Sequence, residues 1–310
     1  MLLASNMFAV KDENADSFVL YFGSNVTKTS AECDSNSKHN EEAPEVSLLG
    51  VLHHPDVSHT MGQYLHQKDL QSLAATCSSA ASSVRGYRQV ALSCVKFDFT
   101  KTTILGFESF LATSLSLKEL TLEHATDEHL EKINNAKEKL QNLTTLKLIR
   151  CSITDAGLSH LKGMPLNSLD ISWCYITDAG LGYLRGMPLD KLDLSYCVRI
   201  TDAGLEHLKG MPLNKLNLSR CIHITDAGLE HLKGMPLNSL DLLGCDNITN
   251  AGLEHLKGMP LDKLDLSYCV RITDAGLEHL KGMPLNSLDH FGCNNITNAG
   301  LEPFEGILRR

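Results

Sequence analysis

The 22 residues LDLSYCVRITDAGLEHLKGMPL begin at Leu192 and begin again, letter for letter, at Leu264. Looser copies of this text, spaced 23 or 24 residues apart, lie before and between the two. Self-similarity at a short fixed period is the pattern of a protein built from stacked repeats. The leading leucines of the seven regular copies are Leu143, Leu166, Leu189, Leu213, Leu237, Leu261 and Leu285, and a looser copy starts at Leu117.

Each copy predicts one strand and one short helix. Leu192 and Leu194 alternate with polar residues, which indicates a strand with both leucines facing inward. Leu205 and Leu208 are spaced like residues on one face of a helix. A single unit cannot bury its own leucines, so neighbouring units must stack on it. The predicted fold class is α/β: a solenoid with parallel strands on the concave face and short helices on the convex face.

The ends of the helix carry recognisable signals. Thr201 and Asp202 supply N-cap oxygens at its start, and Gly210 with Pro212 should end it after about two turns. Two copies have asparagine in place of the aspartate, and asparagine can also cap a helix. We therefore interpret the repeated Thr/Asp pair as a structural cap and not as catalytic material.

Composition limits the classes of function. The chain has 310 residues, of which 43% are hydrophobic, and a net charge of −9, so it has enough apolar material to fold. Nucleic-acid binding needs a basic surface, and the sequence has no dense Lys/Arg run, so basic or neutral partners fit better. No apolar run approaches the roughly 20 residues of a membrane helix, and the first residues are a poor secretory signal. We expect neither a nucleic-acid nor a membrane partner, and a monomer outside any complex.

Seven of the ten cysteines recur once per copy at one register, and not in the clustered CxxC spacing of a zinc site. Each is predicted to be a small buried thiol. Unpaired thiols are most stable in a reducing compartment, which predicts a cytoplasmic protein. The seven are Cys151, Cys174, Cys197, Cys221, Cys245, Cys269 and Cys293.

The copies resemble the cysteine-containing leucine-rich repeat, whose consensus reads LxxLxLxxCxxITDxxLxxL. The resemblance extends over residues 117–302 and implies the same solenoid of strands and short helices. Seven regular copies make this resemblance highly specific. The near-identical copies indicate recent duplication.

No pattern of catalysis or cofactor binding is present in the sequence. A column of histidines on the outer helices has no matching column of carboxylates or thiols at ligand distance, and we interpret it as a solvated helix face. The sequence contains no glycine-rich phosphate loop, no HExxH and no GxSxG. We predict no enzyme, no cofactor and no metal. The histidines are His160, His207, His231, His255 and His279.

The residue between the two inward leucines of each strand should point to the concave surface, and it is mostly acidic. Parallel strands lie about 4.8 Å apart, so like charges there repel by roughly 0.8 kcal/mol per pair even at the dielectric of water. Two interpretations remain open: a solvated face whose charge nearby lysines relieve, and a surface for a basic or hydrogen-bonding partner. The acidic candidates are Asp170, Asp193, Asp241 and Asp265, and Lys147, Asn217 and Asp289 stand in the same column.

Large side chains stand just before four of the repeat cysteines: Trp173, Tyr196, Arg220 and Tyr268. Large apolar or amphipathic groups at solvent-facing sites are typical of interface hot spots. We predict that these four residues line a protein-binding surface on the open face of the strands. The alternative is that they pack on one another along the rim.

The segment before the repeats resembles the F-box, a helical motif that docks on the cullin-bound adaptor of SCF ubiquitin ligases. The family's pattern runs Leu-Pro-x-Glu, a hydrophobic pair ending YL, DL, a later leucine and a cysteine. Pro55 sits one residue late and Ala80 replaces the usual tryptophan, which implies weaker docking. The residues that match, and that the resemblance assigns to the adaptor contact, are Asp56, Tyr64, Leu65, Asp69, Leu70, Leu73 and Cys77.

An F-box followed by leucine-rich repeats implies a subunit of an SCF-type ubiquitin ligase that binds an unknown protein substrate and recruits it. The alternative is an interaction scaffold without any link to ubiquitin ligases. Near-identical repeats behind a polar tail also resemble effectors that bacteria deliver into eukaryotic hosts, and the working site would then be the host cytosol. The predicted parts are a disordered polar tail (1–45), the F-box-like module (46–88), a connector and N-terminal cap (89–116), the repeats (117–302) and a C-terminal cap (303–310).

Overall fold

The computed structural model describes residues 6–11, 18–23, 94–100, 104–113 and 117–309. The chain divides into two compact units, residues 1–120 and residues 121–310. The F-box-like segment 46–88 lies outside the described residues, so its helices and its seven candidate contact residues stay predictions.

Two strands lie in the part of the chain that composition predicts to be a disordered tail, residues 1–45. Strands β1 (Asn6–Lys11) and β2 (Phe18–Gly23) pair antiparallel along their six residues. The tail prediction is therefore wrong for these two segments. The cause is local: NMFAVK and FVLYFG contain β-branched and aromatic residues that favour strands, and the average composition of a mostly polar stretch concealed them.

The described part of the connector contains one strand and one helix. Strand β3 (Cys94–Asp98) pairs parallel with β2, and helix α1 (Ile104–Thr113) follows it. Phe97 is buried, and its ring meets those of Phe107 and Phe110 edge to face at centroid distances of 5.0 and 4.9 Å. Such aromatic pairs add stabilisation beyond their buried area. The role of these elements as an N-terminal cap stays a prediction.

Residues 121–310 repeat one unit of strand, turn and short helix, as the copies predict. The strands follow each other in chain order, and the pairings from β5 to β12 are parallel. The register places Leu192 opposite Leu169 and Leu216, so equivalent leucines form a row. The strands are β4 (Glu119–Glu123), β5 (Thr145–Ile149), β6 (Ser168–Asp170), β7 (Lys191–Asp193), β8 (Lys215–Asn217), β9 (Ser239–Asp241), β10 (Lys263–Asp265), β11 (Ser287–Asp289) and β12 (Leu308–Arg309).

Most helices of the repeats have four or five residues and are shorter than the predicted two turns; Asp127–Asn135 and Asp226–Leu232 are the longer ones. In the third regular repeat the α-helix ends at Glu206, and Leu208 then donates its backbone N–H to the carbonyl of Leu205, three residues earlier. Such i→i+3 bonds tighten the coil into turns, which carry the chain to Gly210 and Pro212. The helices are α2 (Asp127–Asn135), α3 (Asp155–Ser159), α4 (Asp178–Gly182), α5 (Asp202–Glu206), α6 (Asp226–Leu232), α7 (Asn250–Glu254), α8 (Asp274–Leu277) and α9 (Asn298–Leu301).

The core lies between the strands and the helices of the repeats. Leu192, Leu194, Leu205 and Leu208 are all buried, as the leucine spacing predicts. The Ile of each ITDAGL motif, for example Ile200, is buried with them. Burying a leucine side chain stabilises a fold by about 1.5 to 3 kcal/mol, and every repeat supplies several. The repeat array is therefore held by apolar contacts within and between adjacent units.

The ITDAGL motif joins each repeat to the next one. The Asp178 carboxylate accepts the backbone N–H of Thr201 at 2.8 Å and the Thr201 hydroxyl at 2.7 Å, while that hydroxyl oxygen accepts the N–H of Ala203. The prediction that threonine caps the helix is confirmed for Thr201. The prediction that the aspartate caps its own helix is wrong, because its carboxylate supports the threonine cap of the following repeat. Gly204 is required because a Cβ there would lie 2.4 Å from the same Asp178 carboxylate.

The seven repeat cysteines are free and buried, as the sequence predicts. The Cys221 thiol donates to the carbonyl oxygen of Leu194 in the preceding repeat at 3.2 Å, and several equivalent cysteines do the same. Burial raises the pKa of Cys197 to about 12. These thiols are packing groups that also bridge repeats, and their protonated state makes them poor nucleophiles.

The last described residues pack against the final repeat. The 3₁₀-helix Glu302–Phe304 brings Phe304 into a buried position, and β12 adds a parallel strand beside β11. The backbone N–H of Leu288 donates to the carbonyl of Ile307 at 3.0 Å. These contacts occupy the place that the sequence assigns to a C-terminal cap.

Candidate functional site

The acidic column lies within the strands, as predicted. The parallel register puts Asp170 opposite Asp193 and Asp241 opposite Asp265, with Asn217 between the two pairs. All of these side chains are partly exposed. The structure therefore brings the predicted carboxylates together along one face of the sheet.

The acidic side chains have a structural role at the ends of their strands. The Asp193 carboxylate accepts the backbone N–H of Ser195, two residues later, at 2.8 Å, and it also accepts the amide N–H of Asn217 at 3.0 Å. Asp170, Asp241 and Asp265 accept a backbone N–H in the same way. This arrangement is an Asx turn, which ends the strand and turns the chain. Part of the acidic column is thus explained by local structure.

Asp241 is the most perturbed member of this column. Burial raises the pKa of its carboxyl group above the usual value, although hydrogen bonds from Ser219 and from the N–H of Leu243 act in the opposite direction. The neighbouring carboxylates of Asp265 and Asp193 raise the pKa further. The column therefore carries the repulsion that the sequence predicts.

The strand face also contains a depression of about 320 Å³. Lys191 and Lys215 stand along one side of it, and Asp170, Asp193 and Asp241 stand along the other. The buried leucine row separates the two stripes. The lysines are thus close enough to the aspartates to offset part of their negative charge, as predicted. The strand face as a whole carries both signs of charge.

Trp173, Tyr196, Arg220 and Tyr268 lie beyond the strands, and not on the open strand face where the sequence analysis placed them. Each strand ends at the acidic column, because the Asx turn begins there, and the four residues follow it by three positions. All four have positive φ, between 58° and 62°. This left-handed conformation costs a residue with a Cβ about 1 to 2 kcal/mol.

The left-handed position belongs to the turn and not to the residue type. Gly244 and Gly292 occupy it in two other repeats, with φ of 66° and 77°. A Cβ at Gly244 would lie 2.8 Å from the Arg220 side chain, and one at Gly292 would lie 2.7 Å from the Tyr268 ring. The large side chains therefore lean over the glycine of the following repeat. Glycine adopts this left-handed conformation without strain, so the backbone does not require a large residue here. We infer that the large residues are present because of the contacts that their side chains make.

The large side chains form two groups of stacked rings and cations. Trp173 and Tyr196 stack face to face with centroids 3.8 Å apart. The Arg220 guanidinium lies 5.5 Å from the centroid of the Tyr268 ring, and that ring meets Phe291 edge to face at 5.4 Å. They do pack on one another, as the rim alternative predicts, but Trp173 and Tyr268 remain 59% and 40% exposed.

A second column, which was not predicted from the sequence, lies directly after the repeat cysteines. Its apolar members are Tyr175, Val198, Ile222 and Val270, all exposed. We define the carboxyl edge as the residues within two positions of a repeat cysteine. Seven of the eight large apolar side chains exposed in the described residues lie on this edge, with Tyr183 the exception. The sequence could have predicted this column, because its members follow the repeat cysteines as regularly as Trp173 and its equivalents precede them.

The described part of the chain contains neither a candidate metal site nor a candidate membrane-spanning helix. There, no group of three or more His, Cys, Asp or Glu side chains is arranged to hold a metal ion. The histidine column lies on the helix side, half-exposed. Among the described helices, none has both the length and the apolar character needed to cross a membrane.

The fold and its repeated turn define a class of protein: a leucine-rich-repeat solenoid. A family model described as a leucine rich repeat matches residues 139–162, 164–184, 187–209 and 259–281. The crystal structure of the Rad7 and Elc1 complex in yeast contains a chain that is similar at 18% identity with a TM-score of 0.40, over 79% of this chain and 88% of that chain. No curated protein matches the sequence.

Proposed function

We propose that this chain is a recruiting subunit without catalytic activity of its own. Its repeats bind a target protein, and the F-box-like segment 46–88 contacts the cullin-bound adaptor of an SCF-type ubiquitin ligase. Such a subunit acts by raising the effective concentration of the target near the ubiquitin-charged enzyme.

One observation carries the binding half of this proposal: exposed aromatic side chains concentrate on the carboxyl edge of the repeats. Trp173 and Phe291 are 59% and 63% exposed, and Trp173 stands in a left-handed turn where glycine serves in other repeats. Exposed apolar groups collected on one surface mark interaction sites, and aromatic residues dominate interface energetics. A repeat array that only needed to fold would not require them.

The ubiquitin-ligase half rests on the residues that match the F-box pattern, above all Leu65, Leu70 and Leu73. The departures at Pro55 and Ala80 favour a second candidate function, a scaffold that binds proteins without an adaptor. In both cases we place the chain in a reducing compartment, because its repeat cysteines are free and buried. That compartment is the cytoplasm, or the host cytosol for a delivered bacterial effector.

The two functions are separated by co-precipitation from a eukaryotic lysate with two double variants. Leu70→Ala with Leu73→Ala should lose the SCF adaptor and keep the target, because repeat arrays are stabilised by nearest neighbours and the substitutions lie outside the repeats. Trp173→Ala with Tyr196→Ala should keep the adaptor and lose the target. If the wild-type chain brings down a target but no adaptor, the scaffold function replaces the ligase function.

A further inference from the structure

The carboxyl edge carries cations as well as aromatic rings, although the chain as a whole has a net charge of −9. Four arginines lie within two positions of a repeat cysteine: Arg150, Arg199, Arg220 and Arg271. Within the described part of the chain, none of the four forms a salt bridge. The acidic column lies further inward, in the strands, and each of its four predicted carboxylates accepts a backbone N–H. Asp246 is the one carboxylate that lies within two positions of a repeat cysteine, against the four arginines.

Two of these arginines lie over aromatic rings. The Arg199 guanidinium lies 5.7 Å from the centroid of the Tyr175 ring, and that of Arg220 lies 5.5 Å from the Tyr268 ring. A guanidinium attracted to a ring face does not use its N–H groups as hydrogen-bond donors in that contact, so they stay available to another partner. Those N–H groups form the fork that binds a carboxylate through two parallel hydrogen bonds. The ring contact therefore restrains both arginine side chains and leaves their N–H groups available for carboxylates.

We propose that the carboxyl edge docks an extended acidic segment of the target protein, with carboxylates on Arg199 and Arg220 and an apolar side chain between them. This inference rests on the proposed function, since it names the chemistry of the target that the repeats bind. Charge complementarity selects the occupant: the exposed Arg199 and the half-exposed Arg220 form no salt bridge in the described residues, and the apolar side chains beside them can bury an aromatic or aliphatic residue. It also departs from the expectation, based on net charge, that partners are basic or neutral.

The geometry sets the spacing of the acidic residues. Arg199 reaches back over Tyr175 of the preceding repeat, and Arg220 reaches forward over Gly244 of the following one. If each guanidinium is placed at the repeat that it contacts, Tyr175 for Arg199 and Gly244 for Arg220, the two groups are about three repeats apart, or roughly 14 Å at the spacing of parallel strands. An extended segment advances about 3.3 Å per residue, so its two carboxylates should be about four positions apart. The side chains between them face Tyr196, Val198 and Ile222, where apolar surface is exposed or half-exposed.

The test is a selection of short random peptides displayed against the immobilised full-length chain. We expect enriched peptides to carry two Asp or Glu residues about four positions apart with a large apolar residue between them. Synthetic copies with Gln in place of these acids should bind about tenfold more weakly, because each charge-assisted fork is lost. The variant Arg199→Gln with Arg220→Gln should lose the enriched peptides, whereas the matched control Arg185→Gln should keep them. Arg185 is exposed but lies away from the repeat cysteines.

Several outcomes would overturn the inference. One is the enrichment of neutral or basic peptides whose binding still depends on Trp173. The repeats would then be a binding surface with a different specificity. Others are acidic peptides that bind the double arginine variant unchanged, and a single-stranded oligonucleotide that displaces them and binds more tightly. A selection that enriches nothing also counts against it. None of these outcomes concerns the SCF adaptor, so the ligase proposal succeeds or fails separately.

Discussion

The carboxylate of Asp178 holds the beginning of the next repeat by accepting two hydrogen bonds from one residue, Thr201. One oxygen accepts the backbone N–H at 2.8 Å, and the other accepts the hydroxyl at 2.7 Å. The same pair recurs as Asp202 with Thr225 and as Asp226 with Thr249. The most repeated letters of the sequence are therefore a joint between units, and this explains why they vary so little from copy to copy.

Replacing Asp202 by alanine should destabilise the array by about 1 to 2 kcal/mol, because the backbone N–H of Thr225 loses its acceptor. Asp202→Asn is the matched control and should cost less than about 0.5 kcal/mol. The chain itself shows why: Asn250 stands at the equivalent position, accepts the N–H of Thr273 at 2.9 Å and donates to its hydroxyl at 2.9 Å. Urea unfolding of the three proteins measures the difference. Equal losses for both variants would show that charge, and not the hydrogen bonds, matters at this joint.

Asp241→Asn should stabilise the protein at neutral pH, and the gain should disappear in acid. Burial raises the pKa of Asp241 in the folded state above the value of 3.8 that applies when it is unfolded. The folded state therefore binds the proton more tightly, and the wild type loses stability as pH rises through the interval between the two pKa values. Asparagine does not titrate, so the variant avoids this loss. Asn217 shows that the residue fits the column.

The measurement for Asp241→Asn is the free energy of unfolding from pH 3 to pH 8, beside the wild type. The two curves should meet below the unfolded pKa and separate above the folded one. Asp265→Asn is a useful control in the same column of the sheet. A gain for Asp241→Asn that is constant across the whole range would contradict the assignment of the effect to a raised pKa.

The strand, the turn and the helix of each repeat could be predicted from the sequence because periodicity reports directly which side chains face inward. Spacing alone was enough to predict the buried positions of Leu192, Leu194, Leu205 and Leu208. The place of the aromatic residues could not be predicted in the same way. It depends on where the strand stops. The backbone N–H of Ser195 donates a hydrogen bond to the Asp193 carboxylate at that point, and leucine spacing does not reveal this bond.

The role of the aspartate in the ITDAGL motif was also beyond the sequence. Asp next to Thr at the start of a helix reads as a local cap, and only the stacking of units shows that its partner is Thr201 of the following repeat. The strands at residues 6–11 and 18–23 were missed for a different reason. Composition was averaged over a stretch in which short β-prone segments alternate with polar ones.

At the left-handed turn we expect a glycine variant to be more stable than an alanine variant, which is the reverse of the order in a helix. Tyr196→Gly should be more stable than Tyr196→Ala by about 1 kcal/mol, because both variants lose the stack with Trp173 but only alanine keeps the Cβ at a φ of 59°. Glu206, in a helix, provides the matched comparison, and there glycine should be less stable than alanine by about 1 kcal/mol. Thermal or urea unfolding decides. The same order at both positions would contradict strain at the carboxyl edge.

The buried thiols predict slow chemistry in the folded state. Burial raises the pKa of Cys151 to about 12 and raises those of the other repeat cysteines as well, so almost no thiolate is present at neutral pH. Iodoacetamide should label the repeat cysteines only after denaturation, and mass spectrometry of the digested protein identifies the labelled sites. A reducing agent should leave the melting temperature unchanged. A large drop would indicate disulfides in place of the free thiols.

The most direct test of the central claim is the binding of the purified, cullin-bound SCF adaptor to the full-length chain, measured by titration calorimetry. The account predicts saturable binding by the wild type, loss of binding in the variant Leu70→Ala with Leu73→Ala, and no change in the variant Trp173→Ala with Tyr196→Ala. Circular dichroism should show the same folded signal for all three proteins. No heat of binding with the wild type, or equal binding by the leucine variant, would contradict the claim that the chain recruits its target to a ubiquitin ligase.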